Sequence, residues 1–153
     1  NNMACEETDL ATSVASAIAC YDPSLILLAP ALSQLAAAGA GAGLRVATEI
    51  FADRAYAEDG KLVARSQPDA VLHTTDACVA QVLRMLDSGG IVTAKGRLIP
   101  SEFHSVCVHG DGPQALATAS AIRSALLSAG VRLLPPPEVL QPPADSDVLP
   151  AMV

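Results

Sequence analysis

Large aromatic side chains and positive charges are both scarce in this chain of 153 residues. It contains no Trp, two Tyr and two Phe, so a folded core must be built mainly from Ala, Val, Leu and Ile. Alanine alone contributes 29 residues, and small side chains suit helices packed closely on a sheet. Nine Lys and Arg stand against sixteen Asp and Glu, giving a net charge of −7 without any basic run. This balance excludes the positive surface of a nucleic-acid-binding protein.

Long apolar runs and closely spaced cysteines are also missing. Runs such as Leu25–Leu28 are far shorter than the roughly 20 residues needed to cross a bilayer, so no membrane association is predicted. The first residues show neither the positive charge nor the apolar block of a signal peptide. The four cysteines form no C-x-x-C pair, which predicts reduced thiols and no metal site in this chain. These features together predict a cytoplasmic globular domain.

Strand and helix patterns alternate along the chain. Short, continuous apolar runs predict buried strands at 24–29, 45–52, 105–108 and 131–134. Helical spacing predicts helices over 6–20, 31–40, 76–87 and from Pro113 to Gly130, and 91–101 fits a short strand or hairpin. The helix over 76–87 is expected to carry Ala77, Ala80, Leu83 and Leu86 on one side. Such alternation predicts an α/β fold with parallel strands, either an open doubly wound sheet or part of a β/α barrel.

A first group of polar residues begins in the second predicted strand and continues into the long loop that follows it. Long ordered loops are usually functional, and this one starts at the strand end where α/β proteins bind ligands. Two interpretations remain: a site that orients a small anion, or an ion-pair network that only fastens the loop. If the Glu49 side chain points inward, its carboxylate is partly buried and needs a partner, which Arg54 or Arg65 could supply. The members are Glu49, Asp53, Arg54, Tyr56, Arg65 and Ser66.

A second group, His109-Gly110-Asp111, follows the strand predicted at 105–108. An imidazole at a strand end can act as a general acid or base near neutral pH. Asp111 could cap the following helix, with Pro113 in its first turn. The alternative is a structural histidine beside a capping aspartate. No phosphate-binding loop, nucleophile elbow or H-E-x-x-H motif accompanies either group.

Three segments together resemble the LamB/YcsF family, the A subunit of 5-oxoprolinase, also known as lactam utilisation proteins. They are EIFADRAY (Glu49–Tyr56), DGKLVARSQPDAVLH (Asp59–His73) and SVCVHGDGPQAL (Ser105–Leu116). The DLNADLGE-like strand and the further histidine- and aspartate-containing blocks of the family do not occur in this chain. The resemblance therefore implies that residues 1–134 are the C-terminal part of an incomplete seven-stranded β/α barrel of the deacetylase-like type. Residues 135–153 hold six of the eleven prolines and are expected to form a disordered tail.

The same resemblance implies an activity, a cofactor and partners. The activity is the ATP-dependent opening of 5-oxo-L-proline to L-glutamate, with ATP and magnesium used by an enzyme assembled with subunits B and C. The resemblance carries over His109, Asp111 and Glu49 as catalytic residues. It carries over a substrate-binding set that comprises Asp53, Arg54, Tyr56, Arg65 and Ser66. Two alternatives stay open: a metal-dependent deacetylase-like hydrolase, disfavoured because no His-x-x-x-His pair is present, and an inactive fragment or docking subunit.

Overall fold

The structure is a computed structural model that describes residues 2–141 and 151–152. Its elements alternate much as the sequence patterns predict, and they run in this order: α1 (Asn2–Glu6), α2 (Thr8–Tyr21), β1 (Ile26–Pro30), α3 (Gln34–Gly41), β2 (Arg45–Phe51), α4 (Thr75–Ser88), β3 (Gly90–Val92), β4 (Leu98–Pro100), β5 (Ser105–Cys107), α5 (Ala115–Ser128), β6 (Arg132–Leu133), α6 (Pro136–Val139) and β7 (Ala151–Met152).

The main sheet contains three parallel strands in the order β1-β2-β5. Leu28 pairs with Ala47 between the first two strands, and Glu49 pairs with Ser105 between the second two. The parallel α/β class is thereby confirmed, whereas the described strands do not form a closed seven-stranded barrel. The ambiguous stretch 91–101 is an antiparallel hairpin of β3 and β4. β6 lies outside the main sheet and pairs with β7.

The long helices cover one face of the main sheet. Leu27 and Ala29 of β1 pack among side chains of α2 and α3. Further along the same face, Val106 packs with the cluster that α4 and α5 form. Because side chains alternate along a strand, Leu28, Glu49 and Cys107 point to the opposite face. The sheet therefore has one face buried under helices and one face that carries polar and partly exposed side chains.

The start of α5 differs from the prediction. The helix begins at Ala115 with Gln114 as its N-cap, so Pro113 lies before the helix rather than in its first turn. The reason is a separate tight turn, closed by the Ala115 N–H donating to the Gly112 carbonyl at 3.1 Å. Asp111 precedes that turn and is exposed, so its predicted role as a helix cap is wrong.

The buried face of α4 is centred on other residues than the apolar side that the sequence indicates. The helix buries Cys78, Gln81, Val82 and Met85, whereas Ala80 of that apolar side is exposed. In the C-terminal segment the structure describes α6 and the short strand β7, and the side chain of Met152 is buried against α4 and α5. Residues 142–150 and 153 lie outside the described residues, so the predicted division of the chain at residue 134 stays a prediction.

Candidate active site

Two strand ends place an acid and an imidazole beside each other. Asp53 lies two residues beyond β2, and His109 lies two residues beyond β5. Since β2 and β5 are parallel neighbours, both side chains emerge at the same edge of the sheet. The His109 ring stacks on Phe51 of β2, with 5.9 Å between the ring centroids and 22° between their planes. The aromatic contact and the strand pairing together fix where the imidazole lies.

The His109 imidazole contacts a carboxylate at one nitrogen and a guanidinium at the other. Nδ1 lies 2.8 Å from both carboxylate oxygens of Asp53, and both side chains are largely shielded from solvent. Nη2 of Arg65 lies 3.2 Å from Nε2 on the far side of the ring. A histidine held by a carboxylate in this way is oriented for proton transfer, with the carboxylate stabilising the imidazolium that forms.

This trio borders a cavity of about 300 Å³. The cavity lies between the beginnings of α4 and α5, where Thr74 caps α4 by accepting a hydrogen bond from the Ala77 N–H. Asp111 and His73 also line it, and both residues are exposed. Its size, at the lower end of the range for small-molecule sites, suits a compact polar ligand. The predicted residues that meet at this cavity are Asp53, Arg65, His109 and Asp111.

Arg54 and Tyr56 are held inside the protein rather than at the cavity. The Arg54 side chain is 7% exposed and donates to the main-chain carbonyl of Val63 at 2.7 Å and to that of Ala70 at 3.4 Å. The Tyr56 hydroxyl accepts a hydrogen bond from the Phe51 N–H at 2.8 Å, and burial raises the pKa of this phenol. Both residues organise the loop around the site, and their assignment to substrate binding stays a prediction.

Glu49 lies on the open face of the sheet without the partner expected for it. Among the residues that the structure describes, no Lys, Arg or His nitrogen comes within 4.0 Å of its carboxylate. The expected pairing with Arg54 or Arg65 is therefore wrong, because Arg54 is bound to carbonyls and Arg65 to His109. Burial raises the pKa of the Glu49 carboxyl, and the nearby His109 opposes that shift. Ser66 is exposed beside Arg65 and is not among the residues that line the cavity.

Gln81 is a supporting residue that the sequence analysis missed. Its side chain is 5% exposed, and its amide nitrogen lies 3.0 Å from each of three main-chain carbonyls at the end of β2. Those carbonyls belong to Phe51, Ala52 and Arg54, which surround Asp53 in the chain. The available signal was that Gln81 is the one polar residue within the otherwise apolar run from Ala77 to Leu83.

Two further features of the described part of the chain bear on the class of site. Within residues 2–141 and 151–152, no three His, Cys, Asp or Glu side chains are grouped so that they could hold a metal ion. In the same residues, no helix combines the length and apolar character needed to cross a membrane. A larger cavity of about 540 Å³ lies near Leu86, Phe103 and Met152, and Glu102 is the one titratable residue among the described residues that line it.

Comparison with known proteins identifies the family of the chain. The family model of the LamB/YcsF family matches residues 1–141. The chain belongs to the LamB/YcsF family. A relative from Azoarcus sp. (strain BH72), named as the A subunit of 5-oxoprolinase, is 52% identical over 139 residues, covering 91% of this chain and 54% of the relative. A protein of the same name from Azorhizobium caulinodans is 46% identical over 134 residues, covering 88% of this chain and 53% of the relative.

A solved structure agrees with this LamB/YcsF assignment. The crystal structure of the lactam utilization protein from Thermus thermophilus matches with a TM-score of 0.74 at 31% identity. The match covers 84% of this chain and 51% of that protein. The chain thus spans about half the length of the LamB/YcsF relatives it matches, and its described elements match about half of the Thermus protein.

Proposed function

We propose that this chain contributes the proton-transfer residues of a lactam hydrolase that opens 5-oxo-L-proline to L-glutamate. The observation that carries the proposal is the Asp53–His109–Arg65 arrangement on a small cavity at the carboxyl ends of β2 and β5. A cyclic amide that bears a carboxylate needs a cation for the carboxylate and a base for water, and Arg65 and His109 provide these two groups. The names of the LamB/YcsF relatives support the same substrate class.

In the proposed reaction, His109 moves one proton twice. Nε2 takes a proton from water as the water oxygen bonds to the lactam carbonyl carbon, and Asp53 stabilises the imidazolium. The ring carbon–nitrogen bond then breaks, and the same proton passes from Nε2 to the departing amine nitrogen. Arg65 holds the substrate carboxylate during both steps. Glu49, whose pKa is raised by burial, is proposed as a second acid that donates a proton to the lactam carbonyl oxygen as water adds and takes it back as the ring carbon–nitrogen bond breaks.

The wider assembly is also proposed rather than observed. The three-stranded sheet with helices on one face is consistent with a segment of a seven-stranded β/α barrel. We propose that subunits B and C complete the cytoplasmic enzyme and that ATP with magnesium acts there. The described site does not fit a nucleoside triphosphate, since Arg65 shares a cavity of about 300 Å³ with the carboxylates of Asp53 and Asp111. No step of the reaction proposed for this chain therefore passes through ATP.

The test is an activity measurement on a protein of full family length. Residues 1–141 of this chain would replace the matching half of the Azoarcus relative, and glutamate release from 5-oxo-L-proline would be measured with its partner proteins and ATP. We expect His109→Asn to lower kcat by about 10²- to 10⁴-fold, as the loss of a general base does. Arg84→Met, at an exposed residue of α4, is the matched control. Unchanged turnover in the His109 variant, with the hybrid active, would overturn the proposal.

A further inference from the structure

The contacts of His109 determine which of its ring nitrogens carries the hydrogen. An ionised carboxylate can only accept a hydrogen bond and a guanidinium can only donate one. Nδ1, at 2.8 Å from the Asp53 oxygens, must therefore carry the hydrogen. Nε2, at 3.2 Å from Nη2 of Arg65, must present its lone pair. The Nε2 lone pair, which would accept a proton, is thus already occupied by an Arg65 N–H.

The contact between Arg65 and His109 is one that a ligand can displace. Arg65 is exposed, and the lone pair of a ring nitrogen is a weaker acceptor for a guanidinium than an ionised carboxylate is. The Arg65 side chain can leave without disturbing the loop, because Arg54 fastens the main chain on both sides of it, at Val63 and at Ala70. An anionic group entering the cavity would therefore draw Arg65 away from Nε2.

We propose that Arg65 couples recognition of a carboxylate to activation of His109. Arg65 caps Nε2 in the structure, and a substrate carboxylate binds Arg65 and uncovers the lone pair for water. The site would thereby respond to small carboxylate-bearing amides and not to the same amides without the carboxylate. This inference rests on the proposed function for the identity of the reaction, but the capping itself is a property of this chain. Arg65 acts here as a positioning residue for His109.

The first test measures the accessibility of the lone pair in the chain itself. Diethyl pyrocarbonate acylates unprotonated imidazole nitrogens, and mass spectrometry of peptides gives separate rates for His73, His104 and His109. We expect Arg65→Met to raise the rate at His109 by about tenfold, which corresponds to about 1.4 kcal/mol. The rates at His73 and His104 serve as internal references. Arg84→Met is the control for removing an exposed guanidinium elsewhere. Equal His109 rates in the wild type and the Arg65 variant would overturn the capping.

The second test measures the coupling to a carboxylate. Side-chain ¹⁵N resonances of His109 would be followed while 5-oxo-L-proline, or 2-pyrrolidinone as the same ring without the carboxylate, is added. We expect 5-oxo-L-proline to move the Nε2 resonance in the wild type but not in Arg65→Met, and 2-pyrrolidinone to leave it in place. An equal response to both compounds, or no response at His109, would overturn the coupling.

The two proposals can fail separately. In one case the hybrid enzyme releases glutamate in a His109-dependent way, but the Nε2 resonance does not shift when 5-oxo-L-proline is added. The proposed function then stands and the coupling fails. If the resonance responds as expected but His109→Asn leaves turnover unchanged, the capping stands and the proposed role of His109 in the reaction fails.

Discussion

Arg54 and Arg65 lie in the same loop but have opposite surroundings. Arg54 is buried and bonded to main-chain carbonyls, whereas Arg65 is exposed and bonded to a titratable ring. A buried guanidinium with its donors satisfied by carbonyls orders the chain around it, while an exposed one remains available to a ligand. The segment between Val63 and Ala70 is therefore anchored by one arginine and presents the other to the cavity.

The first prediction concerns that anchor. Arg54→Met should lower the free energy of unfolding by about 2 kcal/mol, since it removes charge-assisted hydrogen bonds and leaves the Val63 carbonyl without its donor. Urea unfolding measures the loss, and faster amide hydrogen exchange at Ala55 and Val63 would locate it in the loop. Arg84→Met, which removes an exposed arginine, should change stability by less than about 0.5 kcal/mol. An equal loss of unfolding free energy in the two variants would show that Arg54 does not stabilise the loop.

The second prediction concerns the pH dependence caused by Glu49. Burial raises the pKa of this carboxyl in the folded chain, with His109 opposing the shift, so the folded state disfavours the ionised form. Ionising Glu49 therefore costs folding stability. This cost is absent below the pKa of the carboxyl in the unfolded chain, about 4.3, and is complete above its pKa in the folded chain. Glu49→Gln should therefore be more stable than the wild type at pH 7 and no more stable at pH 3. Urea unfolding midpoints of both proteins at pH 7 and pH 3 test this prediction. The same stability difference between variant and wild type at both pH values would contradict it.

At the level of elements, the sequence predicts those features that depend on local pattern. The apolar runs predict β1, β2 and β5, and parallel pairing then brings Asp53 and His109 to one edge. The buried face of α4 was not predictable in the same way. Gln81 faces inward because the carbonyls at the end of β2 need donors, and that need arises from a distant segment. The burial of Arg54 was equally unpredictable, because its hydrogen-bond partners are the carbonyls of Val63 and Ala70, which lie further along the chain.

The third prediction tests how much α4 supports the end of β2. Gln81→Leu keeps the side chain's size but removes the donor that three carbonyls share, so unfolding should become easier by about 3 kcal/mol. Gln81→Glu, which replaces the donor by an acceptor of the same shape, should cost at least as much. Urea unfolding measures both, and exposed Gln67→Leu is the control. A stable Gln81→Leu variant would mean that water satisfies these carbonyls equally well.

At the scale of the whole molecule, the main sheet is open. β1 pairs with β2 on one side, and no other described strand pairs with its second edge. Leu28, at the centre of β1, is 50% exposed on the face opposite the helices, and Leu25 and Leu32 beside it are 42% and 48% exposed. An unpaired strand edge next to exposed apolar side chains favours pairing with another strand.

The last prediction follows from this open edge. The chain on its own should self-associate through β1, and light scattering after size-exclusion chromatography should find dimers or larger species. Leu28→Lys should shift the chain toward monomer, because a lysine beside a strand edge opposes pairing. Leu127→Lys is the matched control, since Leu127 is 44% exposed on α5 and distant from β1 in the chain. Circular dichroism would confirm that both variants fold. A wild-type chain that stays monomeric at all concentrations would show that β1 does not mediate self-association. The same shift toward monomer in both lysine variants would show this too.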